Sequence, residues 1–209
     1  MPDGCADILF SSEGEANVVG AMTRYLDVEN AGPFFGVRFR PGGWAGQFGV
    51  PGDRITDAIQ PLDSLWGSRG KELAERLASA DSDGGRVRIL ETILTPHGET
   101  RPIQRAIRWM EERRGCVSLD DMADQCGLSV RQFRRVCLAE TGLSPKFLAR
   151  VLRFRHALSR LPHGAGADLA LDCGYYDQAH LINEFRELSG RTPASLVAEF
   201  SNRQATLVA

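Results

Sequence analysis

A chain of 209 residues with 43% hydrophobic and 25% charged side chains has room for one or two packed domains and the composition of an ordinary globular protein. No apolar run approaches the roughly 20 residues of a membrane span, and the opening Met1-Pro2-Asp3-Gly4-Cys5-Ala6-Asp7 has neither a basic region nor a signal-like core. A cytoplasmic protein with reduced thiols and no membrane partner is expected. The net charge of −2 would argue against nucleic acid if it were evenly spread. However, residues 1–100 hold 9 Lys+Arg against 15 Asp+Glu, while residues 101–209 hold 16 against 12. Within 131–160, Arg131, Arg134, Arg135, Lys146, Arg150, Arg153, Arg155 and Arg160 stand against one acid, Glu140. An acidic half joined to a half with a basic stripe suits a sensor attached to a nucleic-acid reader, the plainer alternative being a solvated helix face.

Residues 4 to 66 favour strands and turns. Ala6–Phe10, Val18-Val19 and Phe34–Phe39 are short β-branched or aromatic runs, separated by the turn signals Ser12-Glu13-Gly14, Glu29–Pro33, Pro41-Gly42-Gly43 and Pro51-Gly52-Asp53. From Phe35 the pattern alternates, with Val37 and Phe39 on one side and Arg38 and Arg40 on the other, as in a strand with one buried face. This is short for a closed barrel, so a half-barrel or small open sheet is expected, with an upstream strand missing before Met1 and an edge in need of cover. Helical signals begin after Trp66. Lys71–Ala80 places Leu73, Leu77 and Ala80 on one face, Asp81–Gly85 breaks it, and Arg86–Leu94 places Val87, Leu90, Ile93 and Leu94 on one face. The pair predicts an αα-hairpin that closes the sheet or packs on a second subunit.

Pro96–Pro102 is the best linker, and we divide the chain into a β-rich sensor or dimerisation domain (1–95), a linker (96–101), an all-α domain (102–200) and a tail (201–209). Ile103–Arg114 is expected to be helical with Gly115 as its stop. Beyond Gly115 the chain carries one pattern in two copies. The offset from Ala123 to Ala170 and from Gly127 to Gly174 is 47 residues; from Ser129 to Asp177, Phe133 to Leu181, Cys137 to Phe185, Gly142 to Gly190 and Pro145 to Pro193 it is 48. Each copy predicts a short helix, a glycine turn, a capped helix, a glycine stop and a new helix opened by Ser/Thr-Pro: a helix-turn-helix with a supporting helix, in duplicate. Ser144-Pro145 opens a long helix to Leu161, about 25 Å at 1.5 Å per residue, which can carry two readers toward the ~34 Å spacing of successive major grooves.

On the second helix of the first unit, Arg131, Gln132, Arg134 and Arg135 remain after the inward positions Phe133, Val136 and Cys137 are removed. Arginine there can bond guanine bidentately or hold phosphate. Arg150 and Arg153 flank the apolar stripe of the long helix. The second unit offers Gln178, Ala179, His180, Asn183 and Arg186; Gln and Asn can read adenine, whereas His180 has an alternative as a packing or helix-end residue. The preceding Pro162–Gly166 leaves that unit's first helix short and poorly started. Cys5, Cys116, Cys126, Cys137 and Cys173 are scattered, without metal-ligand spacing, so neither zinc nor any other cofactor is expected. Cys126, Cys137 and Cys173 fit small buried thiols, and Cys5 is the least constrained.

These residues resemble the two-unit DNA-binding domain of the AraC/XylS family of transcription regulators over roughly 102–200. The run Gly174-Tyr175-Tyr176-Asp177-Gln178-Ala179-His180-Leu181-Ile182-Asn183-Glu184-Phe185-Arg186, with Gly190-Arg191-Thr192-Pro193 after it, carries most of the likeness. The resemblance implies base contacts from Arg131, Arg134 and Arg135 and, in the second unit, from Gln178, Ala179 and Asn183. The family often has Arg where Asn183 stands, and Ala179 has no hydrogen-bonding group, so the second reader is expected to be weaker. The N-terminal half is similar to the sensor-like domain of a poorly characterised subgroup, which implies an effector site or dimerisation. The expectation is an α+β protein: a half-barrel-like domain with a helical hairpin, then two helix-turn-helix units joined by a long helix. Its expected role is sequence-specific regulation of transcription without catalysis, and its expected partners are double-stranded DNA, a small-molecule effector, a second copy of the chain and RNA polymerase. Two alternatives are a cysteine-dependent DNA-repair enzyme and an interaction module that kept the fold without binding DNA.

Overall fold

The protein is described by a computed structural model over residues 1–11, 14–27, 34–94, 101–163 and 166–199. The turns at Ser12-Glu13 and Glu29–Pro33, the linker up to Thr100, the pair Gly164-Ala165 and the tail 201–209 lie outside the described residues.

Four antiparallel strands, β1 (Ala6–Ser11), β2 (Ala16–Val19), β3 (Phe34–Phe39) and β4 (Ile59–Pro61), form an open sheet in the order β3-β1-β2-β4. Ile8 stands opposite Val18 on one side and Val37 on the other, and Val18 opposite Gln60. Alternation sends Ala6, Ile8 and Phe10 of β1 to the buried face, with Phe35, Val37 and Phe39 of β3 packed beside them. Four short helices cover that face: α1 (Trp44–Phe48), α2 (Leu62–Trp66), α3 (Ser68–Ala78) and α4 (Asp83–Ile93). Trp44 and Phe48 stack at 4.1 Å, and Leu62, Leu73, Leu77 and Leu90 complete the core. The helical hairpin α3–α4 therefore closes the sheet.

Three parts of this half differ from the sequence expectation. The turn-rich stretch before Trp66 contains α1, α2 and β4, each too short for periodicity to reveal. In α4, Val87 is 44% exposed and Ile89 packs inward instead, because α4 enters the core along the line Ile89, Leu90, Ile93. Cys5, left unplaced by its sequence position, is buried beside Asp3.

The second half is helical: α5 (Pro102–Glu112), α6 (Leu119–Gln125), α7 (Val130–Thr141), α8 (Pro145–Arg160), α9 (Ala167–Asp172) and α10 (Gln178–Ser189), with residues 193–199 helical as well. It has two cores. Ile103, Ile107, Met110, Met122, Phe133, Cys137 and Leu148 fill the first; Phe154, Leu169, Cys173, Tyr175, Leu181, Phe185 and Leu188 fill the second. The helix α8 belongs to both, giving Leu148 and Leu152 to one and Phe154 and Ala157 to the other. Phe133, Phe154 and Phe185 are fully buried, each contributing roughly 1.5–3 kcal/mol on burial. At 16 residues α8 spans about 24 Å, which makes it a stiff spacer between the units.

Candidate nucleic-acid interface

Each unit is built from a helix, a left-handed glycine turn and a second helix started by a side-chain cap. Gly127 (φ 64°) and Gly174 (φ 75°) make the turns, a conformation that costs other residues. Ser129 then opens α7 with a reciprocal box: its Oγ accepts from the Gln132 N–H, and its own N–H donates to Gln132 Oε1 at 3.0 Å. In the second unit Asp177 accepts from the His180 N–H at 2.7 Å. Both second helices thus begin at a defined residue, which sets the outward face.

On α7 that face carries Arg131, Gln132, Arg134 and Arg135, all exposed. The carboxamide oxygen of Gln132 is held in the capping box. None of the described ion pairs or hydrogen bonds engages Arg131, Arg134 or Arg135, so their guanidinium donors point outward unspent. On α10 Gln178, Ala179, His180, Asn183 and Arg186 are exposed. His180 is partly used in local structure: its Nδ1 accepts from the Tyr176 N–H at 3.4 Å, and its ring meets Tyr175 edge-on at 5.3 Å. Tyr176, just before the cap, is 86% exposed and was not singled out in the sequence, where an aromatic in a motif reads first as core.

A groove of about 1260 Å³ joins the two units. Arg131, Arg134 and Arg135 line it from α7, Lys146, Arg150 and Arg153 from α8, and His180, Asn183, Glu184 and Glu187 from α10. Gln132, Gln178 and Arg186 are not part of its lining. The fold thus brings six of the basic residues to one concavity, with two acids on the second unit's wall.

Those acids explain the place of Arg150. Its Nε donates to Glu184 Oε1 at 2.8 Å and its Nη2 to Glu184 Oε2 at 2.9 Å, with Glu187 as a further partner. Hydrogen bonding to Glu184 holds the Arg150 guanidinium well above even its usual range of basicity. Glu184 is only 5% exposed, so Arg150 is a tie from α8 to α10, its donors turned to carboxylates. Arg153 lies over the Tyr175 ring at 5.4 Å with its Nε buried. Burial, with Glu184 nearby, pushes the Tyr175 phenol up, keeping it neutral. Neither tie was legible from spacing along one helix, because both cross between units. Among the described residues no group of His, Cys, Asp and Glu could hold a metal ion.

Sequence comparison with known proteins agrees with this geometry. Residues 122–199 match a helix-turn-helix domain family, and residues 1–61 match a domain of unknown function, DUF6597. The HTH-type transcriptional activator RhaS of Pectobacterium atrosepticum is 26% identical over 171 residues, covering 78% of this chain and 61% of that protein. RhaS of Escherichia coli (strain K12 / DH10B) is 31% identical over 93 residues, covering 43% of this chain and 34% of that protein. The chain therefore spans less than two thirds of the curated relatives it matches. A solved structure, ToxT from Vibrio cholerae O395, aligns over 93% of this chain and 85% of that one with a TM-score of 0.47 at 7% identity. No helix among the described residues is long and apolar enough to cross a membrane.

Proposed function

We propose that this chain, which carries at residues 122–199 a helix-turn-helix domain of the AraC/XylS type, is a DNA-binding transcription regulator with unequal readers. The observation that carries the reading is the placement of Arg131, Arg134 and Arg135 on the exposed face of a capped second helix, lining one groove with His180 and Asn183 of its counterpart. Guanidinium groups at that position can fork onto guanine O6 and N7 or grip phosphate. α7 enters a major groove and supplies most of the affinity; α10 enters the next with Gln178, Asn183 and Arg186 and sets register. Lys146 and Arg153, between them, face the sugar-phosphate backbone.

Control by a small-molecule effector or by pairing with a second copy falls to the N-terminal half, and RNA polymerase is the partner on which a transcription regulator finally acts. The site of action is the cytoplasm. A catalytic reading through Cys5 has little support: burial, then Asp3, push its thiol up to about 11, so it stays protonated near neutral pH and is a poor nucleophile.

Selection of duplexes from a random pool, and then titration of the selected site against salt, tests the proposal. Affinity is expected to fall linearly on a log–log scale as salt rises, in proportion to the phosphates neutralised. A folded protein that binds no duplex at low salt would overturn the reading.

A further inference from the structure

The N-terminal domain touches the two reading units at one equivalent point in each. Helices α7 and α10 both end on a left-handed glycine, Gly142 (φ 75°) and Gly190 (φ 70°), at the same position of the repeat. A glycine stop is common at helix ends and by itself implies no partner. Here both stops are contacted from the same half of the chain: Gly142 is buried beneath it, and Gly190 lies against the Tyr25 ring while staying exposed. A Cβ on Gly142 would lie 2.5 Å from Thr56 Oγ1 and 2.8 Å from the Gly52 carbonyl oxygen; a Cβ on Gly190 would lie 2.5 Å from Cζ of Tyr25. Thr56 Oγ1 donates to the Gly142 carbonyl at 2.8 Å. The approach at α7 is backbone to backbone, since a Cβ on Gly52 would stand 2.5 Å from the Gly142 nitrogen.

The two N-terminal segments that make these contacts are bound to each other. The Asp57 carboxylate accepts from the Thr23 N–H at 2.7 Å and from its hydroxyl at 2.5 Å, and the Asp57 N–H donates to the Ala21 carbonyl at 3.1 Å. Ala21 itself is buried in the core of the first unit. The loop that grips α7 and the segment that grips α10 are therefore one cross-tied piece.

We propose that this piece is a clamp: the N-terminal domain docks on the repeat-equivalent glycines Gly142 and Gly190 and so holds the two recognition helices at one separation. The helix α8 and the Arg150–Glu184 tie join the units along the groove; the clamp joins their far ends. Whatever moves residues 21–25 against 52–57 then changes how the two readers sit relative to each other. The register function rests on the DNA-binding reading above, whereas the clamp itself does not.

Three full-length variants test it away from every groove-lining residue. Tyr25→Ala removes the ring over Gly190, Thr56→Val removes the hydroxyl from Gly142, and Gly52→Ala places a methyl against the α7 backbone. Hydrogen exchange without DNA is expected to show roughly tenfold less protection at the end of α10 in Tyr25→Ala and at the end of α7 in the other two, with β1 unchanged. Unchanged exchange at both helix ends in all three variants would overturn the clamp. Binding is then measured on duplexes carrying the two half-sites at stepped spacings. The wild type is expected to prefer one spacing, and Tyr25→Ala to lose about tenfold there and show a flatter profile. A loosened clamp with the wild-type spacing profile would overturn the register function. A wild type that binds no duplex faults the DNA-binding reading, and the exchange result still decides the clamp.

Discussion

Ser129 and Asp177 hold the same place in the two helix-turn-helix units, yet the helices they start are put to different uses. α7 turns three arginines to the groove, none of them paired among the described residues, and its inner face packs into a core shared with α5, α8 and Ala21 of the N-terminal half. α10 turns out Gln178, Ala179 and Asn183, gives His180 partly to Tyr175 and Tyr176, and commits Glu184 and Glu187 to Arg150. The first unit is anchored by packing and presents charge outward. The second adds the Arg150 pair to its own packing on Phe154 and Ala157 of α8 and presents little charge of its own. Duplication preserves a frame when the inward residues keep their volume and the turns keep their glycines; it leaves the outward face open to diverge.

The contrast between the units breaks first at Arg150. Replacing it with Ala leaves Glu184 buried without its partner, and the expected loss is roughly 3 kcal/mol, at the low end for a broken buried pair because the guanidinium is partly solvated and Glu187 reaches water. Urea unfolding monitored by hydrogen exchange should place that loss in α10 while α7 keeps its protection. An even loss across both units would mean that the second has no special dependence on the pair.

The readers themselves come next. Arg134→Ala or Arg131→Ala is expected to weaken binding to a selected site by ~1–3 kcal/mol, with Asn183→Ala costing visibly less. A base reader loses affinity mainly on the selected sequence, whereas a phosphate holder loses it on all sequences and lowers the salt slope by about one. Anisotropy titrations on matched and scrambled duplexes separate the two. Equal losses at Arg134 and Asn183 would erase the asymmetry.

Smaller effects sit at the caps. Ser129→Ala and Asp177→Ala should each destabilise by ~1 kcal/mol, Ser129→Ala the more, because it also removes the bond its hydroxyl donates to Gln132 Oε1. Thermal or urea midpoints of the two variants, side by side, check the ranking. The smallest change goes the other way. α9 begins at Gly166, whose extended backbone offers no side-chain acceptor and whose surroundings leave room for a Cβ. Gly166→Asp is expected to stabilise the second unit by roughly a few tenths of a kcal/mol; a loss of stability would mean that α9 is started by something other than its cap.

Much of this frame was legible from the chain alone because it is local. Ser129 with Gln132, Asp177, Gly127 and Gly174 announce caps and turns through residues within four positions of one another, and the inward faces keep the helical period. Where the sequence reading failed, the controlling contact was distant. Val87 has the spacing of a core residue but is exposed because α4 enters the core along another line. α1, α2 and β4 are three to five residues long and are held by the aromatic cluster of Trp44, Phe48 and Phe39 and by pairing with β2, so their own sequences carry little signal.

The sequence by itself determined the duplicated frame, the start and stop of each reading helix, and which side chains of α7 face outward, since all of these depend on neighbours in the chain. Only the tertiary structure decided that Arg150 is tied to Glu184, that Arg153 lies over Tyr175, and that Gly142 and Gly190, equivalent in the repeat, are both contacted by the N-terminal half. Those pairings join residues from 22 to 165 positions apart. No local propensity encodes them; they exist because three hydrophobic cores must be buried together, and burial chooses which surfaces meet.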